Sequence, residues 1–152
     1  MKSRNMYRII GSLFAIILFN SSLFAQDFTE VCTDAEVFYK LSEAIAVKDK
    51  VQKADFSMQK IKVLSPTIKD LQNLECLDLS FNTFSTLPAE FAQLKKLSYL
   101  NLTGTRYLAK VPVVLKDLPN LKILDLRDHP EWSKAIVEEA KKLLPHVKII
   151  TQ

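Results

Sequence analysis

Residues that could carry out chemistry are few in this chain, and none of them falls in a catalytic motif. The two glycines lie far apart, whereas a phosphate-binding loop needs several glycines within one short turn. The two cysteines, Cys32 and Cys76, and the two histidines, His129 and His146, have no zinc-ligand spacing. No H-E-x-x-H, C-x-x-C or G-x-S-x-G motif occurs. We therefore expect a protein that is not an enzyme and that holds no metal and no cofactor.

The N-terminus has the composition of an export signal. Basic side chains in the first eight residues precede an apolar run over 9–19, and Ala25 stands at the expected cleavage point. We predict a secretory signal peptide over 1–25 and an exported mature chain in the periplasm, at the cell surface or outside the cell. The alternative is an uncleaved membrane anchor, which is disfavoured because a bilayer needs about 20 apolar residues.

The charge balance does not indicate a nucleic-acid partner. The whole chain carries 21 basic and 17 acidic residues, a net charge of +4. Removal of the predicted signal takes away three basic residues and leaves 18 basic against 17 acidic. Nucleic-acid binding would need a basic stripe on the mature surface, so we expect no nucleic-acid partner.

The elements that carry the remaining residues are repeats. A nine-residue pattern with leucine at its first, fourth and sixth positions begins at Leu74, Leu97 and Leu121, at spacings of 23 and 24 residues. A diverged copy begins at Val51 and a last, partial one at Val147. A fixed period of this length predicts a solenoid, in which each repeat buries its leucines against its neighbours.

The pattern resembles the leucine-rich repeat family in its bacterial 23-residue form, over about residues 51 to 152. The second half of the repeat resembles the L-P-x-x-L-x-x-L segment of the family: a copy begins at Leu87, with Phe91 in place of the second leucine, and a variant begins at Val111. The resemblance implies an α/β solenoid: a short arc with a parallel sheet on the concave face and helical caps at both ends. It also implies an Asn at the ninth position, which only Asn82 supplies.

The predicted caps cover ends that would otherwise aggregate. We predict an N-terminal helical cap over 26–50, with a helix over 35–47 that begins behind Asp34. At the other end we predict a helix over 131–144, and the repeats with this helix and a closing strand make up residues 51–152.

The two cysteines enter an oxidising compartment if the chain is exported, which favours a disulfide. The predicted cap, however, covers the end of the first strand and is expected to keep Cys32 away from Cys76. We therefore do not expect this bridge, although the sequence leaves the pairing open.

The strand residues between the leucines are predicted to lie on the concave face, away from the core. One column of them is largely apolar and consists of Cys76, Tyr99, Ile123 and Ile149. The neighbouring column is largely acidic and consists of Asp55, Asp78, Asn101, Asp125 and Thr151. An apolar strip with a polar border is typical of a binding site. The alternative is that the acidic column only follows the Leu-Asp-Leu consensus of the family.

The predicted partner-binding residues lie on these strands and on the turns that follow them. They are Lys53, Asp55, Met58, Asp78, Phe81, Tyr99, Asn101, Ile123, Asp125 and Arg127. We place Tyr99 at the centre of the surface, pointing out of the core.

The function that best fits this sequence is a secreted, non-catalytic module that binds an unidentified protein or peptide through its concave face. The alternative is a structural or self-assembling envelope protein. Five short strands offer a footprint of only about 250 Å², against about 800 Å² per side in a standard interface. Self-association therefore stays possible, and a membrane contact is expected only if the signal is not cleaved.

Overall fold

A parallel sheet of six short strands forms the backbone of the structure. The computed structural model describes residues 32 and 34–151, which fall in one compact unit, Val31–Gln152. The predicted signal over 1–25 and the start of the predicted cap lie outside the described residues. The strands are β1 (Val37–Phe38), β2 (Lys53–Asp55), β3 (Cys76–Asp78), β4 (Tyr99–Asn101), β5 (Ile123–Asp125) and β6 (Lys148–Ile150). They pair in chain order from β1 to β6, and every pair is parallel. The predicted solenoid arc is confirmed.

The repeat leucines build the core on one side of this sheet. Leu77, Leu100 and Leu124 occupy the middle of successive strands and are direct partners across the sheet. All three are fully buried, and burial of a leucine side chain contributes about 1.5–3 kcal/mol. Because side chains alternate along a strand, the residues on either side of each leucine lie on the opposite, concave face.

Short 3-10 helices return the chain behind the core in three repeats. They span Pro66–Asp70, Ala89–Gln93 and Val113–Asp117. A proline starts the first and immediately precedes the other two, where its fixed φ suits the entry into a helical turn. The return segments therefore lie where the repeat pattern predicts them.

The N-terminal segment departs from the predicted helix over 35–47. It contains β1, then the helix α1 (Leu41–Ala46), then a 3-10 helix over Lys48–Lys50. Asp34 is exposed and Lys40 precedes α1 without a side-chain cap. The prediction was wrong because strand pairing overrides the helical pattern here: β1 pairs with β2 and so extends the sheet beyond the first repeat.

The C-terminal segment contains the predicted helix in a shorter form. Helix α2 spans Lys134–Leu143 and begins behind Ser133, whose hydroxyl accepts a hydrogen bond from the Ile136 amide. Ala140 on α2 and Leu144 just after it are buried.

The closing strand differs from its predicted alignment by one residue. Lys148 pairs with Ile123, and Ile149 pairs with Leu124. Ile149 packs against the core, so it does not belong to the apolar column on the concave face. Ile150, and not Thr151, pairs with Asp125. The approach from the buried Val147 to the strand is one residue shorter than in the other repeats, and a shift of one residue exchanges the two faces of a strand.

A disulfide joins Cys32 to Cys76, with their Cα atoms 5.8 Å apart. The expectation that these cysteines would not meet was wrong. It assumed a helix directly after Cys32, whereas the five residues that lead to Val37 can span about 16 Å when extended. That reach exceeds the two strand spacings, about 10 Å, between β1 and β3.

Candidate functional site: the concave face and the turns that follow it

The acidic column of the concave face has a structural role at the end of each strand. Asp55 and Asp78 accept hydrogen bonds from the amides two residues on, at 2.9 and 2.8 Å. Asn101 and Asp125 accept from Thr103 and Arg127 in the same way, at 2.9 and 3.2 Å. Such Asx turns satisfy backbone donors where the strand ends. This column therefore holds the turns in place, whatever it contributes to binding.

Hydrogen bonds across the strands fix the column further. Asn101 Nδ2 donates to Asp78 Oδ2 at 2.8 Å, and Thr103 Oγ1 donates to Asp125 Oδ1 at 3.1 Å. Because like charges directly opposite one another in a sheet are destabilising, the asparagine between two aspartates relieves repulsion. Within the described residues, no group of three or more His, Cys, Asp or Glu side chains could hold a metal ion.

An ion pair between Asp125 and Arg127 lies at the last strand of the acidic column. Asp125 is only 1% exposed, and Arg127 approaches both of its carboxylate oxygens, with Nη2 at 2.6 Å from Oδ2 and Nε at 3.0 Å from Oδ1. This hydrogen bonding raises the pKa of the Arg127 guanidinium above its ordinary value. The bidentate geometry fixes the guanidinium at the rim of the concave face.

The apolar strip is not exposed as predicted. Tyr99 is 6% and Ile123 is 5% exposed, and Cys76 is buried in its disulfide. Lys148 takes the place predicted for Ile149. The predicted exposure of Tyr99 was wrong. Its side chain is covered and therefore offers a partner little contact area.

The turns after the strands repeat one backbone conformation. Met58, Phe81, Gly104 and Asp128 occupy the eighth position of successive repeats and have φ values of 58°, 53°, 64° and 57°. The amides of the first three donate to Ser80, Thr103 and Arg127 carbonyls in the next repeat, at 2.8–3.0 Å. The left-handed conformation thus continues the interstrand hydrogen bonds through the turn.

Two of these turn positions expose apolar side chains. Met58 is 70% and Phe81 is 45% exposed. The Phe81 ring lies over Gly104 so closely that a Cβ at residue 104 would come within 2.6 Å of two ring carbons. These predicted site residues, unlike Tyr99, present surface that a partner can reach.

The ninth position is polar in every repeat and is buried in the last three, at Asn82, Thr105 and His129. Asn82 donates from Nδ2 to the carbonyls of Phe56 and Leu79 at 2.8 and 2.9 Å, and its Oδ1 accepts from the Ile61 amide at 2.9 Å. His129 fills the same position in the last repeat, with Nε2 at 3.0 Å from the Leu102 carbonyl. Both side chains satisfy backbone groups inside the turns.

The sequence analysis did not single out Arg106, which follows the ninth position in the third repeat. It is exposed and borders a depression of about 450 Å³ that also includes Phe81, Gly104, Arg127 and Pro130. The signal that could have found it is the absence of any acidic residue from the turn segment 102–116.

The parallel sheet, the stacked leucines and the repeated turns define a leucine-rich repeat solenoid. The leucine-rich repeat family model matches residues 57–106. The chain belongs to the leucine-rich repeat family.

Relatives share parts of this architecture. A probable disease resistance protein of Arabidopsis thaliana is 31% identical over 75% of this chain, which spans 13% of that relative. A receptor-like protein of Solanum lycopersicum is 38% identical over 43% of this chain and 7% of its own length. The solved structure of a leucine-rich repeat protein of Leptospira interrogans is 37% identical, with a TM-score of 0.57, and covers 69% of this chain and 27% of that one.

Proposed function

We propose that this chain is an exported, non-catalytic module that binds a protein or peptide partner through its concave face. The observation that carries the proposal is the fixed polar column, in which Asp55, Asp78 and Asn101 are held by hydrogen bonds to the turns. A surface whose side chains are already ordered loses little conformational entropy when a partner binds. The repeat family supports the general role, since leucine-rich repeats are typically interaction modules.

Export is supported by two observations. The Cys32–Cys76 disulfide suits an oxidising compartment, and two of the relatives are receptor-like proteins. Among the residues that the structure describes, no helix has the length and apolar character to span a bilayer.

The experiment compares an aspartate on the concave face with one on a return segment. Asp55→Asn removes a charge from the concave face but keeps the oxygen that accepts the Ser57 amide. Asp117→Asn removes the same charge from the return segment over Val113–Asp117. Binding is measured by biolayer interferometry against a panel of purified extracellular proteins, with thermal melts as the folding control.

We expect Asp55→Asn to weaken the affinity for a partner found in this panel by about tenfold, or about 1.4 kcal/mol. Asp117→Asn should leave that affinity unchanged. Equal affinities for both variants and the parent chain would contradict binding through the concave face. Light scattering on the same samples tests self-assembly: a mass that rises with concentration and falls in Asp55→Asn would identify a second copy as the partner.

A further inference from the structure

The turns after the strands carry apolar side chains where the backbone disfavours them. A positive φ is unfavourable for residues with a Cβ, and glycine or asparagine accommodates it best. Gly104 follows this rule in the third repeat, whereas Met58 and Phe81 do not. Met58 is 70% and Phe81 is 45% exposed, so a large part of each side chain lies outside the core. A strained, exposed apolar residue points to a use in binding.

Phe81, unlike Met58, borders a depression rather than a flat surface. The Phe81 ring lies over Gly104, and both residues line the depression. Arg106, Arg127 and Asp128 line it as well. The guanidinium of Arg106 has no hydrogen bond or ion pair with any residue that the structure describes, so it can meet a group from outside.

The segments that precede this depression in the chain are basic, whereas Asp128 in its lining is acidic. The segments 56–69, 79–89 and 102–116, which follow β2, β3 and β4, contain no Asp or Glu. The cations in the turns themselves are Lys60 and Arg106, both exposed and both one residue after the ninth repeat position. These two positions are two repeats apart, or about 10 Å at the spacing of strands in a sheet.

We propose that this turn edge, made of Met58, Lys60, Phe81, Gly104 and Arg106, binds an extended acidic segment of a partner protein. Side chains on one face of an extended chain recur every second residue, so two carboxylates four residues apart share a face at a separation of about 13 Å, which the long side chains of Lys60 and Arg106 can reach. An aromatic or aliphatic side chain between them then lies on Phe81 above Gly104. This inference rests on the proposed function, since it names the surface and the chemistry by which a protein partner is recognised.

A peptide fits this edge better than an anionic membrane or a nucleic acid. Two cations spaced across two repeats bind a pair of carboxylates, whereas nucleic-acid affinity comes from many phosphate contacts. The single row of exposed apolar side chains also lacks the broad apolar face that an interfacial membrane segment buries. Both alternatives are nevertheless arms of the test.

The probe is a fluorescent peptide with two glutamates four residues apart and a tyrosine midway between them, so that all three side chains share one face of the extended chain. Fluorescence anisotropy is measured against the full folded chain and four variants. Phe81→Asn removes the ring and suits the left-handed backbone, and Arg106→Glu reverses the charge. The matched controls are Val113→Asn and Lys116→Glu, at exposed positions on the return segment.

We expect the peptide to bind the parent chain, and Phe81→Asn and Arg106→Glu each to weaken it by about tenfold or more. The two controls are expected to bind like the parent, and affinity should fall with added salt because the charges are exposed. Replacing the tyrosine of the peptide by serine, or its glutamates by lysine, should abolish binding.

Three outcomes overturn the inference: no binding of the peptide, equal losses in the control variants, or tighter binding of phosphatidylserine vesicles or single-stranded RNA that Arg106→Glu abolishes. The proposed function is tested separately by Asp55→Asn. If binding of a partner depends on Asp55 but not on Phe81 or Arg106, the turn-edge inference is refuted and binding through the concave face is retained. If binding depends on none of the three residues, both are refuted.

Discussion

The Cys32–Cys76 disulfide should supply a large part of the stability of this solenoid. The bridge closes a loop with a sequence separation of 44 residues. In the chain-entropy treatment, cross-linking a loop of that length lowers the entropy of the unfolded chain by about 13 cal/mol/K, or about 4 kcal/mol at 25 °C. We therefore expect Cys32→Ser together with Cys76→Ser to reduce the free energy of unfolding by up to about 4 kcal/mol.

Urea unfolding of the oxidised chain, the reduced chain and the variants measures this loss. Cys32→Ser alone should be destabilised about as much as the double variant, because either substitution removes the bridge and the two effects are not additive. In the variants that lack the bridge, hydrogen exchange should show faster opening of β1 than of β4, because the bridge no longer holds the chain before β1 against β3. Equal unfolding midpoints for the oxidised and reduced chains would refute the reasoning, as would two titratable thiols in the unreduced protein.

Five further substitutions, one of them an exposed control, test the core and the turns. Leu100→Ala should cost about 2–5 kcal/mol in a urea melt because the leucine is fully buried, whereas Val63→Ala, at an exposed position, should change stability by about 0.5 kcal/mol or less. Asn82→Ala should cost about 2–3 kcal/mol, since it leaves buried carbonyls and the Ile61 amide without their partner; unchanged stability would contradict its role in the turn. Tyr99→Ala should also lower the melting temperature, because the side chain is buried. An unchanged melting temperature would show that burial of this side chain does not contribute to stability. Gly104→Ala should lower the melting temperature through its positive φ and its clash with a neighbouring ring.

The repeat period predicted most of the fold. Apolar residues at fixed spacing placed β2 to β5 and their register correctly, because only one register buries every one of them on the same side. The pattern could not place β1, since Val37–Phe38 is a strand of two residues that forms only because an open edge of the sheet stands beside it. It also misaligned β6, where Val147 and Ile149 are closer together than the matching leucines of a complete repeat.

The candidate site was harder to predict than the fold. The column from Asp55 to Asp125 was identified correctly, and its D-x-S and N-x-T spacing also contains the signal for the Asx turns. The exposure of Tyr99 could not be read from the repeat, because alternation along a strand assigns a residue to a face but does not say what covers that face. The disulfide was missed because it depends on the path of the chain before the first repeat, which the repeat pattern does not define.

The positions that differ most from repeat to repeat indicate where specificity lies. The leucine positions are committed to the core, the fifth position to the Asx turns, and the ninth to backbone groups inside the turn. The side chain at the eighth position has no such structural role, because the interstrand hydrogen bonds there are made by the backbone. Its side chains are methionine, phenylalanine, none and aspartate in successive repeats. A partner that binds along the eighth positions contacts a different side chain about every 4.8 Å. The fixed turns hold these side chains in a constant arrangement. The stable column and the variable row are therefore complementary parts of one surface, the first giving rigidity and the second giving selectivity.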